Sequence, residues 1–239
     1  MSLVASVASI SVSDVKLRLT GTLPRVLLSD TNAEHVRDLA AELDRNGFVT
    51  LVCDPADAAR DEDRIVARQL ELSSSGFVVI ERTLARHPVS GDAITLLQRG
   101  WRSSTTRETV ATSERKISLG RVVLTGGLLV SKKVRKSSVQ VSESREAFLL
   151  VQRLGSLPEI ILYEKQLDYR FLCAEIQPAA YGNLMLSMER IRSIAPRAPL
   201  DERVAQSGFV QRLEPVAVGH PLDLALHLVK LAHLRQGSP

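Results

Sequence analysis

The first clear pattern along the chain is a two-residue alternation over 15–20. There Val15, Leu17 and Leu19 are separated by Lys16 and Arg18, the period of a half-buried strand. A turn at 20–24 leads to the apolar run 25–29, read as a second strand. Asp30, Thr31 and Asn32 then offer N-cap side chains, and Val36, Leu39, Ala40 and Leu43 recur at helical spacing until Asn46-Gly47. The run 48–53 is apolar again. Strand, helix and strand within about 30 residues predict a parallel βαβ unit.

The pattern continues with an acidic loop over 54–63, a helix over 64–72, a Ser/Gly break at 73–76 and a fully apolar strand at 77–80. A strand without polar positions suits a sheet covered on both faces. His87-Pro88 opens a loop, and 92–99 reads as a short helix. The stretch 101–114, rich in Ser, Thr and Arg, reads as a linker. Two apolar-rich runs, 117–123 and 128–134, flank Thr125-Gly126-Gly127, a hairpin signal because primed turns need positive φ. Val139 and Val141 extend that sheet. Ser144, Glu146 and Gly155 bracket a predicted helix over 145–154. An apolar strand follows at 159–163, and 167–176 is ambiguous between helix and strand. Pro178 fits the first turn of a helix carrying Leu184, Met188, Ile191 and Ala195 on one face, and a last helix runs over 221–234.

These elements divide the chain into an α/β half with a parallel βαβ at 14–100, a linker at 101–114, and an α+β half at 115–235 with a β-hairpin and C-terminal helices. In element order alone the first hundred residues resemble a receiver-type or TIR-type unit. A receiver carries an aspartate at the end of its third strand, where Ile80-Glu81 stands here. A TIR enzyme carries a glutamate in the following helix, and 92–99 has none. Either resemblance therefore implies a non-catalytic version.

Composition narrows the class. Apolar residues make up 44% of the 239 and charged residues 24%, which is globular usage and argues against disorder. Aromatics are only 4%, so the core must rest on aliphatic side chains. The two cysteines, Cys53 and Cys173, have apolar neighbours and no zinc-ligand spacing, and are expected to be buried thiols in a reducing cytoplasm. No secretory leader is legible in 1–13, and no run reaches the ~18 apolar residues of a membrane span.

Charge changes the picture most. Between positions 99 and 136 stand ten cations and only Glu108 and Glu114, a formal +8 in a chain of net +4. The rest of the chain is therefore −4, and 30–71 alone holds eleven acids against five arginines. Arg115, Lys116 and Arg121 lie on or before one predicted hairpin arm, and Lys132, Lys133, Arg135 and Lys136 end the other. If the arms pair, these seven cations meet at one open end, a constellation suited to phosphate contacts with a nucleic acid, or to an acidic protein surface. Trp101 is the sole aromatic nearby, so base stacking has little support. The competing reading is a solvated strand edge kept basic against edge pairing.

Other constellations were weighed against simpler roles. Asp30, Asp54, Glu81 and His87 would share the rim of a parallel sheet and could take a metal or small ligand, although capping and loop formation explain the two aspartates. Arg82, Arg86, Ser90 and Asp92 lie in the same 81–92 loop. Asp92 with Glu114 and Lys116 gives the Asp plus Glu-x-Lys pattern of a Mg²⁺-dependent nuclease. Glu164 and Asp168, spaced i and i+4 beside Tyr163 and Tyr169, could pair for acid–base work or simply form a solvated face. His220, His227 and His233 read as helix-surface positions rather than ligands, and Ser137 and Ser138 follow Arg135-Lys136 as phosphorylation candidates. Phosphate-binding glycine loops, dinucleotide fingerprints and nucleophile elbows are missing. The expectation is a non-catalytic binding or regulatory protein without a resident metal or cofactor. The alternatives are a Mg²⁺-dependent nuclease or nucleotide-processing enzyme, and a structural adaptor with no ligand site.

Overall fold

A computed structural model describes the backbone of residues 1–21, 24–117, 131–155, 157–206 and 208–237, and side chains over the same span except 104–143 and 236–237. The chain has mixed α and β content. Five helices are present among the described residues: α1 (Ser2–Val7), α2 (Val12–Leu19), α3 (Ala33–Arg45), α4 (Ala180–Ile194) and α5 (Pro221–Gly237). The strands are β1 (Ile65–Val66), β2 (Gln69–Leu72), β3 (Gly76–Ile80), β4 (Arg86–Ser90), β5 (Ile94–Ile117), β6 (Ser131–Arg153), β7 (Ile160–Tyr163) and β8 (Leu200–Asp201). Strands β1, β7, β6, β5 and β8 form a mixed sheet in that order, and β2, β3 and β4 form an antiparallel one. The chain divides into two units: Met1–Arg102 with Glu146–Pro239, and Ser103–Arg145.

Unit 1 is layered around β6. Ala147, Phe148, Leu149, Leu150 and Val151 are all fully buried, as a central strand covered on both faces requires. The strand period sorts them. Ala147, Leu149 and Val151 join Ile160 and Leu162 against β2–β4 and the Leu184, Met188 and Ile191 stripe of α4. Phe148 and Leu150 join Ile161 and Tyr163 against Leu224, Leu228 and Val229 of α5. Burying one such side chain contributes about 1.5–3 kcal/mol, so this strand anchors both layers. Gly91 lets the β4–β5 turn approach α4: a Cβ there would lie 2.2 Å from the carbonyl oxygen of Ile194. A third, smaller cluster (Val4, Val15, Leu39 and Leu43) joins α1, α2 and α3.

Several expected elements form as read. The helix α3 is capped by Asn32, whose Oδ1 accepts from the backbone N–H of Glu34 and His35. The strands β3 and β7 and the helices α4 and α5 lie where the pattern puts them. The expected parallel βαβ unit is not among the described elements: 25–29 and 48–53 carry no strand, because no neighbouring strand bonds to them. Residues 15–19 are helical in α2 and Thr20 is its extended C-cap; Ser11 accepts from Asp14 N–H, and Leu17 is left exposed. The expected helix 64–72 is instead β1 and β2, and β3 pairs antiparallel with β2 and β4. The residues 92–99 form a 3-10 turn (Gly91–Ala93) and the start of β5. The expected linker 101–114 is strand in β5, and the expected helix 145–154 is the buried end of β6. The Gly126-Gly127 turn lies outside the described residues.

Unit 2 holds the remaining 103–117 of β5 and 131–145 of β6, strands that are neighbours in the sheet order. Ser, Thr and charged residues dominate both, with Val110, Ala111, Ile117, Val134, Val139 and Val141 as their apolar positions. Among the described residues no helix is long and apolar enough to cross a membrane.

Candidate functional site

The basic segment splits between the two units. Arg99 and Arg102, its first two cations, belong to unit 1 and are engaged there. Arg99 Nε lies 2.9 Å from Glu202, and Arg102 reaches both Glu146 and Asp61. The other eight fall in unit 2, which carries nine cations and three carboxylates, a formal +6. Arg115 and Lys116 are the last residues but one of β5, and Lys132, Lys133, Arg135 and Lys136 lie in the first six residues of β6. Arg121 lies outside the described residues. With three carboxylates against nine cations, pairing inside the unit leaves at least six positive charges uncompensated.

In unit 1 the charges converge on a network that the sequence reading missed. Arg64, at the start of β1, has a side chain only 2% exposed. Its Nε donates to Glu159 at 3.2 Å, its guanidinium meets Asp223 of α5 at 2.5 Å, and another N–H donates to the Ala59 carbonyl at 2.7 Å. Burial works against this charge, but Asp223 and Glu159 outweigh it and hold the guanidinium pKa above its usual value. Lys230 closes the other side of Glu159 at 3.0 Å. At the sheet's edge the Arg102 guanidinium lies 3.4 Å from the centre of the Tyr163 ring, a cation–π contact. The Tyr163 hydroxyl donates to Asp61. Burial, then that hydrogen bond, push the phenol pKa well above its usual range. The Ala59 carbonyl apart, these partners stand 41 to 159 residues apart in sequence, so no local motif announces them.

Three cations (Arg64, Arg102, Lys230) thus face four carboxylates (Asp61, Glu146, Glu159, Asp223), each with at least one partner. His227, on α5 beside Lys230, has its imidazole pKa lowered by burial and by that ammonium. Such a network locks the entry of β1, the end of β7 and the first turns of α5 together. Its chemistry is charge compensation.

No protein-family model matches the chain, no curated protein matches its sequence, and no solved structure matches its fold.

The remaining sequence candidates are dispersed. Asp30 accepts from Asn32 N–H and lies 2.8 Å from His35, while Asp54 accepts from Ala56 N–H at the start of a 3-10 turn. The structure brings together only Glu81 and His87 of that quartet, 3.1 Å apart across the β3–β4 hairpin. Arg86 forms a two-pronged pair with Glu71. Asp92 lies in unit 1 in the turn before β5, whereas Glu114 and Lys116 lie in unit 2. Glu164 accepts from Ala147 N–H and Asp168 from Arg170, so each carboxylate has its own structural task. His220 caps α5, and His233 meets Asp201 at 2.7 Å. Among the described residues no group of three or more His, Cys, Asp or Glu could hold a metal ion. Cys53 is half-buried, with its thiol pKa raised by burial and by Asp54 and Asp57. Cys173 is exposed, against expectation: a positive φ of 50° turns it out of the chain while Leu172 packs inward.

Proposed function

We propose that the chain is a non-catalytic binding or regulatory protein whose unit 2 contacts a polyanion, a nucleic acid in the first instance, or else an acidic protein partner. The observation that carries this reading is the excess charge on neighbouring strands. Arg115 and Lys116 close β5, and Lys132, Lys133, Arg135 and Lys136 open β6, with few carboxylates beside them. Phosphate contacts depend on cation density more than on detailed geometry, and each contact releases condensed counterions. The unit contains no Phe, Trp or Tyr, which favours backbone contact over base stacking.

The test is retention of the full chain on a duplex-DNA matrix as a function of salt. Replacing Lys132, Lys133, Arg135 and Lys136 by Ala reduces the slope of log affinity against log salt by about 3–4, at roughly 0.9 per phosphate contact. An unchanged slope in that variant overturns the reading. Retention on an acidic protein matrix but not on DNA selects the second kind of partner.

A further inference from the structure

The β3–β4 hairpin borders an open surface depression of about 490 Å³ lined by Arg68, Gln69, Glu81, Arg82 and Leu84. Among the described residues neither arginine has a carboxylate partner. Arg68 donates one guanidinium N–H to the carbonyl of Gln166 at 3.1 Å, a neutral acceptor, and Arg82 stands exposed in the turn. Glu81 is the cavity's one acid, and it is held by the hairpin itself. Thr83 Oγ1 donates to it at 2.9 Å, and His87 lies 3.1 Å from its other oxygen.

The turn is also unusual in its fourth residue. Leu84 N–H donates to Glu81 O, and Glu81 N–H to Ala85 O, which closes the turn with Leu84 at φ 67°. That left-handed position suits glycine or asparagine, and a leucine there is strained by about 1–2 kcal/mol. Its side chain is 75% exposed, so packing does not repay the strain. What Leu84 adds is an apolar group on a lining that otherwise carries two guanidiniums, an amide and the Glu81 carboxylate held by Thr83 and His87. Residues held in costly backbone conformations gather at ligand sites.

We infer that this cavity binds a small organic anion, its carboxylate or phosphate on Arg68 and Arg82 and its apolar portion against Leu84. The depression is open to solvent, so the ligand it takes is small and held chiefly by charge. Two guanidiniums and an amide on one lining supply donors for the lone pairs of a terminal phosphate.

The experiment is calorimetric titration with phenyl phosphate, inorganic phosphate and benzyl alcohol. It is run on the full chain and on the Lys132/Lys133/Arg135/Lys136 to Ala variant, so that unit 2 is separated from the cavity. Phenyl phosphate is expected to bind both proteins alike, about tenfold more tightly than inorganic phosphate, with benzyl alcohol weaker than either. Arg82→Gln, at an exposed position that folding does not need, weakens phenyl phosphate about tenfold. Leu84→Gly weakens phenyl phosphate while leaving inorganic phosphate unchanged. Binding lost in the quadruple variant assigns the anion to unit 2 and overturns the inference, as does unchanged affinity in Arg82→Gln. Failure of DNA retention alone leaves this site standing and removes only the proposed function.

Discussion

At the buried heart of unit 1 the charged side chains are consumed by one another: Arg64, Arg102 and Lys230 are distributed over Asp61, Glu146, Glu159 and Asp223, and Arg203 and His233 over Asp201. Unit 2 has nine cations but only three carboxylates. The same residue types therefore serve opposite ends. Buried and compensated, they fix which elements meet. In excess, they demand an anion from outside the unit. Mutations that delete a cation should accordingly cost stability in the buried network of unit 1 and affinity in unit 2.

The largest effect is expected at Arg64. Arg64→Ala strands Asp223 and leaves Glu159 with Lys230 alone at a nearly dry position, and breaking a buried ion pair in this way costs about 3–5 kcal/mol. Urea denaturation at neutral pH checks it. Arg64→Lys should recover only part of the loss, because an ammonium cannot reach Glu159, Asp223 and the Ala59 carbonyl with a fixed fork. A loss under ~1 kcal/mol in Arg64→Ala would mean the network is decorative and would dissolve the contrast.

The quadruple alanine variant of unit 2 is the converse. Its affinity for duplex DNA should fall about 10²–10³-fold near physiological salt, while its urea midpoint moves little, since surface substitutions stay within about ±0.5 kcal/mol each. A marked fall in stability would place those cations in internal pairs, as in unit 1.

How much of this was legible depends on whether the deciding partner is local. Asn32, the Leu39/Leu43 spacing and Asn46-Gly47 fix α3 from within the helix and its immediate flanks, and the structure agrees. The run 145–154 shows the opposite case. Ser144, Glu146 and Gly155 imitate helix caps, but Glu146 answers Arg102, 44 residues away, and Ala147–Val151 is buried on both faces between β5 and β7. An unbroken apolar run cannot by itself choose between buried strand and buried helix. Likewise 25–29 and 48–53 have strand composition, but a strand exists only with a bonded neighbour. The basic excess of the candidate site was readable by counting. The withdrawal of Arg99 and Arg102 from it was not, because Glu202 and Asp61 are remote in sequence.

A smaller effect tests compensation by pH. Burial tends to raise the Asp201 pKa, but the side-chain and backbone hydrogen bonds from Arg203, with help from His233, bring it below its ordinary 3.8. A depressed carboxylate contributes stability that is present above the unfolded-state pKa and lost as pH falls through the folded-state one. Asp201→Asn should therefore destabilise the chain at pH 7 and converge with wild type in strong acid. Parallel curves at all pH values would show that the carboxylate charge is idle. No such acid limb is expected from the unit 2 cations, which do not titrate there.

The smallest effect reverses the sign. Leu84→Gly relieves a left-handed φ at a position where little side-chain contact is lost, but it also gives the unfolded chain a more flexible residue. The two terms oppose each other, and the relief of about 1–2 kcal/mol exceeds the entropic penalty of about 0.5–1 kcal/mol. A net gain of roughly 0.5–1 kcal/mol corresponds to a rise of about 1–4 °C in Tm for a chain of this size. Thermal unfolding followed by circular dichroism resolves that difference. A fall in Tm would mean that Leu84 packs in solution and that its exposure is not strain held for a ligand. A rise in Tm together with weaker phenyl phosphate binding would show the same side chain trading stability for recognition, a third use of a costly residue beside the compensated charges of unit 1 and the excess charges of unit 2.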